Sequence, residues 1–154
     1  MDKDRVRVNL GCGRTKLEGY LNVDSDPLVE PDKVFDANKL HWDFKDSSID
    51  EILCDNVLEH LHITLNWFFW EASRILKPNG MLVLITPNNF RLSNRIKFLR
   101  GEFGQAQGWH IHHTFLLKPS VIKELARQNN FDVMNWKPSN LFDAEINVRL
   151  RKRP

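Results

Sequence analysis

Residues 5–13 read Arg5-Val6-Arg7-Val8-Asn9-Leu10-Gly11-Cys12-Gly13, and eleven positions past Gly13 the chain reaches Asp24 at the end of Tyr20-Leu21-Asn22-Val23. From Arg5 to Leu10 charged and apolar side chains alternate, the period of a strand, and the run stops at a glycine turn. Tyr20 to Val23 is a second short strand, closed by Asp24 and the Ser25-Asp26-Pro27 turn. In an open parallel sheet a ligand sits at the carboxyl ends of the strands, near the point where strand order reverses. Gly11 and Gly13 fall at such an end, where glycine lets the backbone approach a ligand closely and take positive φ. A carboxylate at Asp24 can accept from two ribose hydroxyls, so the pair points to a nucleoside-containing cofactor. Taken alone, the G-x-G equally fits a tight turn beside a solvated aspartate.

Outward from this stretch, strands and helices alternate. Val34-Phe35 is a weak third strand ending at Asp36, Ile49 to Cys54 a fourth, and Thr64 to Leu76 a helix stopped by the Lys77-Pro78-Asn79-Gly80 turn. Met81 to Ile85 is short, apolar and β-branched, as a buried parallel strand requires. A polar helix is expected over Ser93 to Leu99, followed by a glycine-rich stretch and a histidine cluster, so residues 88–114 read as a lid or substrate insertion. Ser120 to Asn129 is a helix with Ser120 as its N-cap. Phe131 to Trp136 and Ala144 to Leu150 pair antiparallel through Pro138-Ser139-Asn140. The fold class is therefore α/β: a Rossmann-like, mainly parallel sheet with helices on both faces and an antiparallel C-terminal hairpin. Parallel strands normally need a crossover of about a dozen residues or more, whereas only Arg14 to Gly19 precede Tyr20. The first crossover helix is expected to be reduced to a turn or loop.

The bulk numbers fit one domain, residues 1–154. A chain of this length buries roughly 70% of the surface it exposes unfolded. Hydrophobic residues at 42% and charged residues at 27% exclude disorder and fibrous repeats. A net charge of +2 argues neither for nor against a polyanionic partner. No apolar stretch is long enough for a signal peptide or membrane span, which predicts a cytoplasmic protein. Cys12 and Cys54 are too few for a disulfide framework and are read as reduced.

Val8-Asn9-Leu10-Gly11-Cys12-Gly13 resembles the first motif of class I S-adenosylmethionine-dependent methyltransferases, in particular small type-11-like domains. Tyr20-Leu21-Asn22-Val23-Asp24 is similar to the second motif and Asp36 to Leu40 to the adenine-side loop. Ser48 to Ile52 resembles the approach to the fourth strand. Val57-Leu58-Glu59-His60-Leu61 and Ile75-Leu76-Lys77-Pro78-Asn79-Gly80 also match family segments in order. The resemblance implies S-adenosylmethionine as cofactor. It would set Asn9, Gly11, Cys12 and Gly13 against the methionine part, Asp24 with Ser25 at the ribose, Asp36 with Ala37 beside the adenine, and Asp55 with Asn56 near the methyl. The short segment before Tyr20 departs from the family, which usually has a full helix there. A nicotinamide reading is weaker still, since it expects a third glycine where Lys16 stands.

Methyl transfer from a sulfonium is an in-line displacement, in which alignment of acceptor, methyl and sulfur is the main thing a protein offers. For a hydroxyl or protonated amine acceptor a base within hydrogen-bond reach takes the proton, and Glu59, His60, His110, His112 and His113 are the candidates. Ribose methyltransferases acting on small RNAs use a Glu-x-x-Glu-His metal motif, but Asn56 stands in place of the first glutamate, so no metal is expected. Arg91, Arg95 and Trp109 suit an anionic or sugar-like substrate. Trp67, Phe68, Phe69 and Trp70 are consecutive on a helix and cannot all face one core, which leaves part of that belt for a homodimer interface or a substrate wall. The tail Arg149 to Arg153 is read as solubilising the last strand. The expected function is methylation of a small molecule, a glycan or lipid-linked intermediate. The alternatives are an RNA methyltransferase, which the charge does not favour, and a non-catalytic cofactor-binding or partner protein.

Overall fold

The computed structural model describes residues 5–88, 92–101, 119–137 and 145–154, with the backbone alone at 98 and 119. Strands β1 (Arg7–Leu10), β2 (Leu21–Asp24), β3 (Lys33–Val34), β4 (Ile49–Asp55), β5 (Leu76–Pro87), β6 (Phe131–Lys137) and β7 (Glu145–Lys152) form one sheet. Its order is β3-β2-β1-β4-β5-β7-β6. β1 to β5 pair parallel, whereas β7 is inserted antiparallel between β5 and β6. Strand order reverses at β1, which runs into Gly11, with β4 beside it. The expected sheet and C-terminal hairpin are both present.

The register puts Val8, Ile52, Leu82 and Leu150 in one row and Leu10, Cys54, Leu84 and Val148 in the next on the same face. All eight are buried. Helices α1 (Leu65–Ile75) and α3 (Pro119–Gln128) contact each other and strands β5 and β6 respectively, contributing Phe68, Phe69, Ala72, Ile75, Ile122 and Ala126 to the same core. A further helix, α2 (Leu92–Leu99), follows β5.

The opposite face differs because the segment from Gly11 to Tyr20 forms turns rather than a helix, as the short spacing required. Asn9 and Asn22, side by side in the β1–β2 register, hold that segment. Asn9 Nδ2 donates to Thr15 O and to Asn22 Oδ1, both at 3.0 Å. Asn22 Oδ1 also accepts from Leu17 N at 2.8 Å, and its Nδ2 donates to the Leu17 and Tyr20 carbonyls and to Asp32 Oδ2. Tyr20 closes the segment by donating its hydroxyl to Glu51, with the Arg7 guanidinium over its ring at 5.3 Å.

Three local expectations change. Thr64 caps α1 by accepting from Trp67 N at 3.3 Å, but the helix stops at Ile75, and Leu76 is already extended at ψ 140. Lys77 to Gly80 do not form a separate turn. They bulge from β5, which pairs Leu76 with Ile49 and next Met81 with Glu51. The bulge is accommodated by left-handed Asn79 at φ 64, and it makes β5 longer than its apolar run. Helix α3 begins at Pro119, so Ser120 lies within its first turn instead of capping it; the fixed φ of proline suits the first helical position. The Pro138-Ser139-Asn140 turn and most of the 88–114 insertion lie outside the described residues.

Candidate active site

A cavity of about 140 Å³ opens at the carboxyl ends of β1 and β2, between the loop after β3 and the turn after β4. It is lined by Leu10, Gly11, Asp24, Ser25, Phe35, Asp36, Ala37, Asn38, Val57, His60 and Leu61. The glycine turn is tied to β2: Gly11 N and Cys12 N both donate to Val23 O, at 2.8 and 3.0 Å. Both glycines adopt left-handed backbone, φ 67 at Gly11 and φ 50 at Gly13. They serve different ends. A Cβ on Gly11 would lie 2.3 Å from Val57 Cγ2, so this position lets the turn after β4 close against β1. A Cβ on Gly13 would meet nothing within 4 Å, and Gly13 is not among the residues that line the cavity.

Asp24 already organises the cavity wall. Its Oδ2 accepts from Gly13 N at 2.8 Å and its Oδ1 from Asp26 N at 3.0 Å. A carboxylate has about four lone-pair sites, so two remain for ligand hydroxyls. Asp36 Oδ1 accepts from Asn38 N at 2.9 Å, fixing the turn that presents Ala37, and Asn38 Oδ1 accepts from His62 N at 2.6 Å. That second bond joins the loop after β3 to the segment after β4 across the cavity. Two carboxylates, an amide and a serine hydroxyl, set among Phe35, Ala37, Val57 and Leu61, match a nucleoside: polar groups for the sugar and the base edge, apolar ones for the base faces.

The Glu59-His60 pair is split. The residues lie on a 3-10 turn, Leu58–His60, that buries Leu58 and Glu59 and leaves His60 exposed on the cavity wall. Glu59 is only 1% exposed and accepts from Thr86 Oγ1 at 3.2 Å. It packs against β5 through that bond and does not line the cavity. Asn9 is buried in the network under the Gly11–Tyr20 segment, Cys12 is buried beside the turn, and neither lines the cavity. Asp55 ends β4 and Asn56 follows it, both outside the cavity lining, and Asn56 takes φ 51 while donating Nδ2 to Asp55 Oδ1 at 2.8 Å. Burial raises the Asp55 carboxyl above the usual range against the opposing pull of that amide. Burial also pushes up both thiols, helped by the Asp24 charge at Cys12 and by the Glu59 and Asp55 charges at Cys54. His110, His112 and His113, with Arg91 and Trp109, lie outside the described residues.

Leu10, Phe35, Asn38, Val57 and Leu61 were not among the cofactor residues expected from sequence, although all but Phe35 lie within segments that resemble the family's. Of the aromatic belt, Phe68 and Phe69 are fully buried, and only Trp67 and Trp70 remain outside, their rings 4.8 Å apart. Among the described residues no cluster of three or more His, Cys, Asp or Glu side chains could hold a metal, and no helix is long and apolar enough to cross a membrane.

Residues 14–84 match the family described as "Methyltransferase domain". An uncharacterised protein of Methanocaldococcus jannaschii is 46% identical over 99 residues, 56% of this chain, and the chain spans only 42% of that relative's length. A crystal structure of a SAM-dependent methyltransferase from Archaeoglobus fulgidus superposes with TM-score 0.73 at 17% identity, covering 96% of this chain and 86% of that one. A SAM-dependent methyltransferase from Methanosarcina mazei gives TM-score 0.70 at 18% identity over 99% and 94%. A putative methyltransferase solved in complex with the Haloferax volcanii Trm112 activator gives 0.67 at 16% over 98% and 84%.

Proposed function

We propose that the chain is a class I S-adenosylmethionine-dependent methyltransferase, that the cavity at Gly11, Asp24 and Asp36 binds S-adenosylmethionine, and that the protein methylates a small molecule, a glycan or lipid-linked intermediate. The observation that carries the reading is the convergence of Asp24, Asp36 and Asn38 with an apolar wall at the carboxyl ends of β1 and β2, where strand order reverses.

When bound, the cofactor supplies a methyl group on a sulfonium. The residues of the chain align and deprotonate. Asp24 accepts from the ribose hydroxyls with the lone pairs left by Gly13 and Asp26, and Asp36 accepts from the adenine amine. The open space at Gly13 admits the methionine portion. His60, on the cavity wall, takes the proton from a hydroxyl acceptor as its bond to the methyl forms, or from an ammonium acceptor beforehand, freeing the nitrogen lone pair that attacks. Glu59 holds the 3-10 turn to β5 through Thr86 and so orients His60.

Thermal melting with S-adenosylhomocysteine or NAD tests the cofactor. Ligand at about 100 times its dissociation constant adds about 2.7 kcal/mol, several degrees at this size. Stabilisation by S-adenosylhomocysteine alone, lost in Asp24→Ala, is the expected result, and a melt unmoved by it removes the cofactor assignment. Incubating labelled cofactor with lipid, glycan and RNA fractions tests the acceptor. Label entering RNA alone replaces the small-molecule reading with the nucleic-acid one, and label entering nothing favours a binding protein.

A further inference from the structure

The two walls of the cavity are held by different means. The loop after β3 is anchored from beneath: Phe35 and Ala37 are buried, Trp42 Nε1 donates to Ala37 O at 3.2 Å, and the Trp42 ring meets Phe35 edge to face at 5.7 Å. The segment after β4 buries Leu58 and Leu61, but its backbone is a single 3-10 turn, Leu58–His60. His60 N donates to Val57 O at 2.9 Å and Leu61 N to Leu58 O at 3.3 Å, with no side-chain cap at Val57. Hydrogen bonds of a 3-10 turn have poorer geometry than those of an α-helix, so so short a turn holds itself weakly. Leu61 is already extended, at φ −73 and ψ 144, and the chain leaves the turn there.

The next backbone donor, His62 N, crosses to the other wall and meets Asn38 Oδ1 at 2.6 Å. Asn38 is itself fixed by donating its backbone N–H to Asp36 Oδ1 at 2.9 Å. Two hydrogen bonds in series therefore run from Asp36 to His62, two residues beyond His60, and Asp36, Asn38, His60 and Leu61 all line the cavity. An amide suits this position because its oxygen accepts without adding a third negative charge to a wall that already carries Asp24 and Asp36. The bond lies at the surface, where water competes for both partners. A nucleoside seated between the walls displaces that water.

We propose that Asn38 is a positioning residue: through its hydrogen bond to His62 N, the loop that receives the cofactor and the turn that carries His60 close as one unit. The inference rests on the reading that this cavity holds S-adenosylmethionine. Cofactor seated against Asp36 steadies the loop, Asn38 passes that order to the turn, and His60 is held in place when the cofactor is there to react. Order gained at one end of the series lowers the cost of ordering the other.

The test is amide hydrogen exchange of the full chain, read residue by residue by NMR with and without S-adenosylhomocysteine, together with the dissociation rate of that ligand. Exchange at an amide reports local opening of the bond that it makes. Expected in the wild type is slowing of about tenfold at Gly13 N, held by Asp24, and at His62 N, held by Asn38. Asn38→Ala keeps the slowing at Gly13, loses it at His62 and releases the ligand about tenfold faster. Asn38→Asp, which keeps an acceptor oxygen at the same reach, restores the His62 response, a rescue that a change in stability alone does not give. Slowing at Gly13 without slowing at His62 in the wild type overturns the inference and leaves the cofactor reading standing; this comparison decides alone should Asn38→Ala fail to fold. Equal slowing at His62 in the wild type and in Asn38→Ala overturns it as well, because the turn then orders without the bond. A ligand that does not bind, by exchange or by calorimetry, removes the cofactor reading and the inference with it.

Discussion

Asn9 donates its amide to Asn22 Oδ1 at 3.0 Å across two adjacent parallel strands, and through that contact the chain dispenses with its first crossover helix. Both side chains are buried, and every partner they hold on the Gly11–Tyr20 segment is a backbone group. A helix would have met these groups with its own ladder; a short irregular segment must borrow side chains.

Asn22→Ala therefore leaves Leu17 N without its acceptor and Asn9 Nδ2 with Thr15 O alone, and removes the side-chain donor to Asp32. A buried polar group stripped of its partner costs about 1–3 kcal/mol. With water repairing part of the network, a loss of about 3 kcal/mol is expected, read as a lower urea midpoint with unchanged m-value. A change under about 1 kcal/mol would mean that the segment holds itself.

The same network predicts a pH response. Hydrogen bonds from Asn22 backbone and side chain hold the Asp32 carboxyl below its usual value. A depressed folded-state pKa contributes stability that is fully present above the unfolded value, near 3.9, and lost as pH falls through the folded one. Asp32→Asn should melt below the wild type at pH 7, and the gap should close as pH drops below about 4. A gap constant from pH 7 to about 3 would exclude the carboxylate charge as its source.

Glu71 is fully buried on α1, accepts from Trp42 N at 3.1 Å and pairs with Arg74 at 2.6 Å. Arg74 in turn donates to the Trp42 and Phe44 carbonyls. The pair pins the segment after the loop of residues 36–40. Removing one partner of a buried ion pair costs about 3–5 kcal/mol when the other charge is left unpaired; Arg74 keeps Asp46 Oδ1 at 2.6 Å, so the lower end of that range applies. Glu71→Ala should lose about that much in a urea melt and should also weaken S-adenosylhomocysteine binding, since Trp42 packs against Phe35 of the cavity wall. Full stability in this variant would show that Arg74 reaches solvent without it.

The strand pattern, the missing helix and the acidic partner of the glycine turn were legible in sequence because each depends on local spacing: period-two alternation, too few residues for a crossover, a carboxylate at a strand end. Contacts between distant segments were not. Nothing near Glu59 announces Thr86, so a Glu-His pair reads as two catalytic groups until β5 draws one of them inward. Asn9 likewise reads as a ligand-side residue because it precedes Gly11, although its position in the pleat sends it to the other face. Lys77-Pro78-Asn79-Gly80 has turn chemistry, yet pairing on both sides keeps it within a strand as a bulge.

The two glycines of the turn separate structure from binding most sharply. At Gly11 an alanine meets Val57 Cγ2 at 2.3 Å and must hold φ 67; at Gly13 it meets only open space and must hold φ 50. Left-handed backbone costs a non-glycine residue about 1–2 kcal/mol. Gly13→Ala should therefore lose about that much stability while placing a methyl in the space assigned to the cofactor, weakening S-adenosylhomocysteine binding in calorimetry out of proportion to its stability. Gly11→Ala adds the clash to the same backbone strain, for a total of about 3 kcal/mol or more. Shortening the obstacle discriminates the two terms. In a Val57→Ala background the Gly11→Ala change should cost only the backbone portion, so a double-mutant cycle in urea gives a coupling of about 1 kcal/mol or more. Additive losses would mean that the turn after β4 yields freely, and that the approach of Val57 to Gly11 does not shape the cavity.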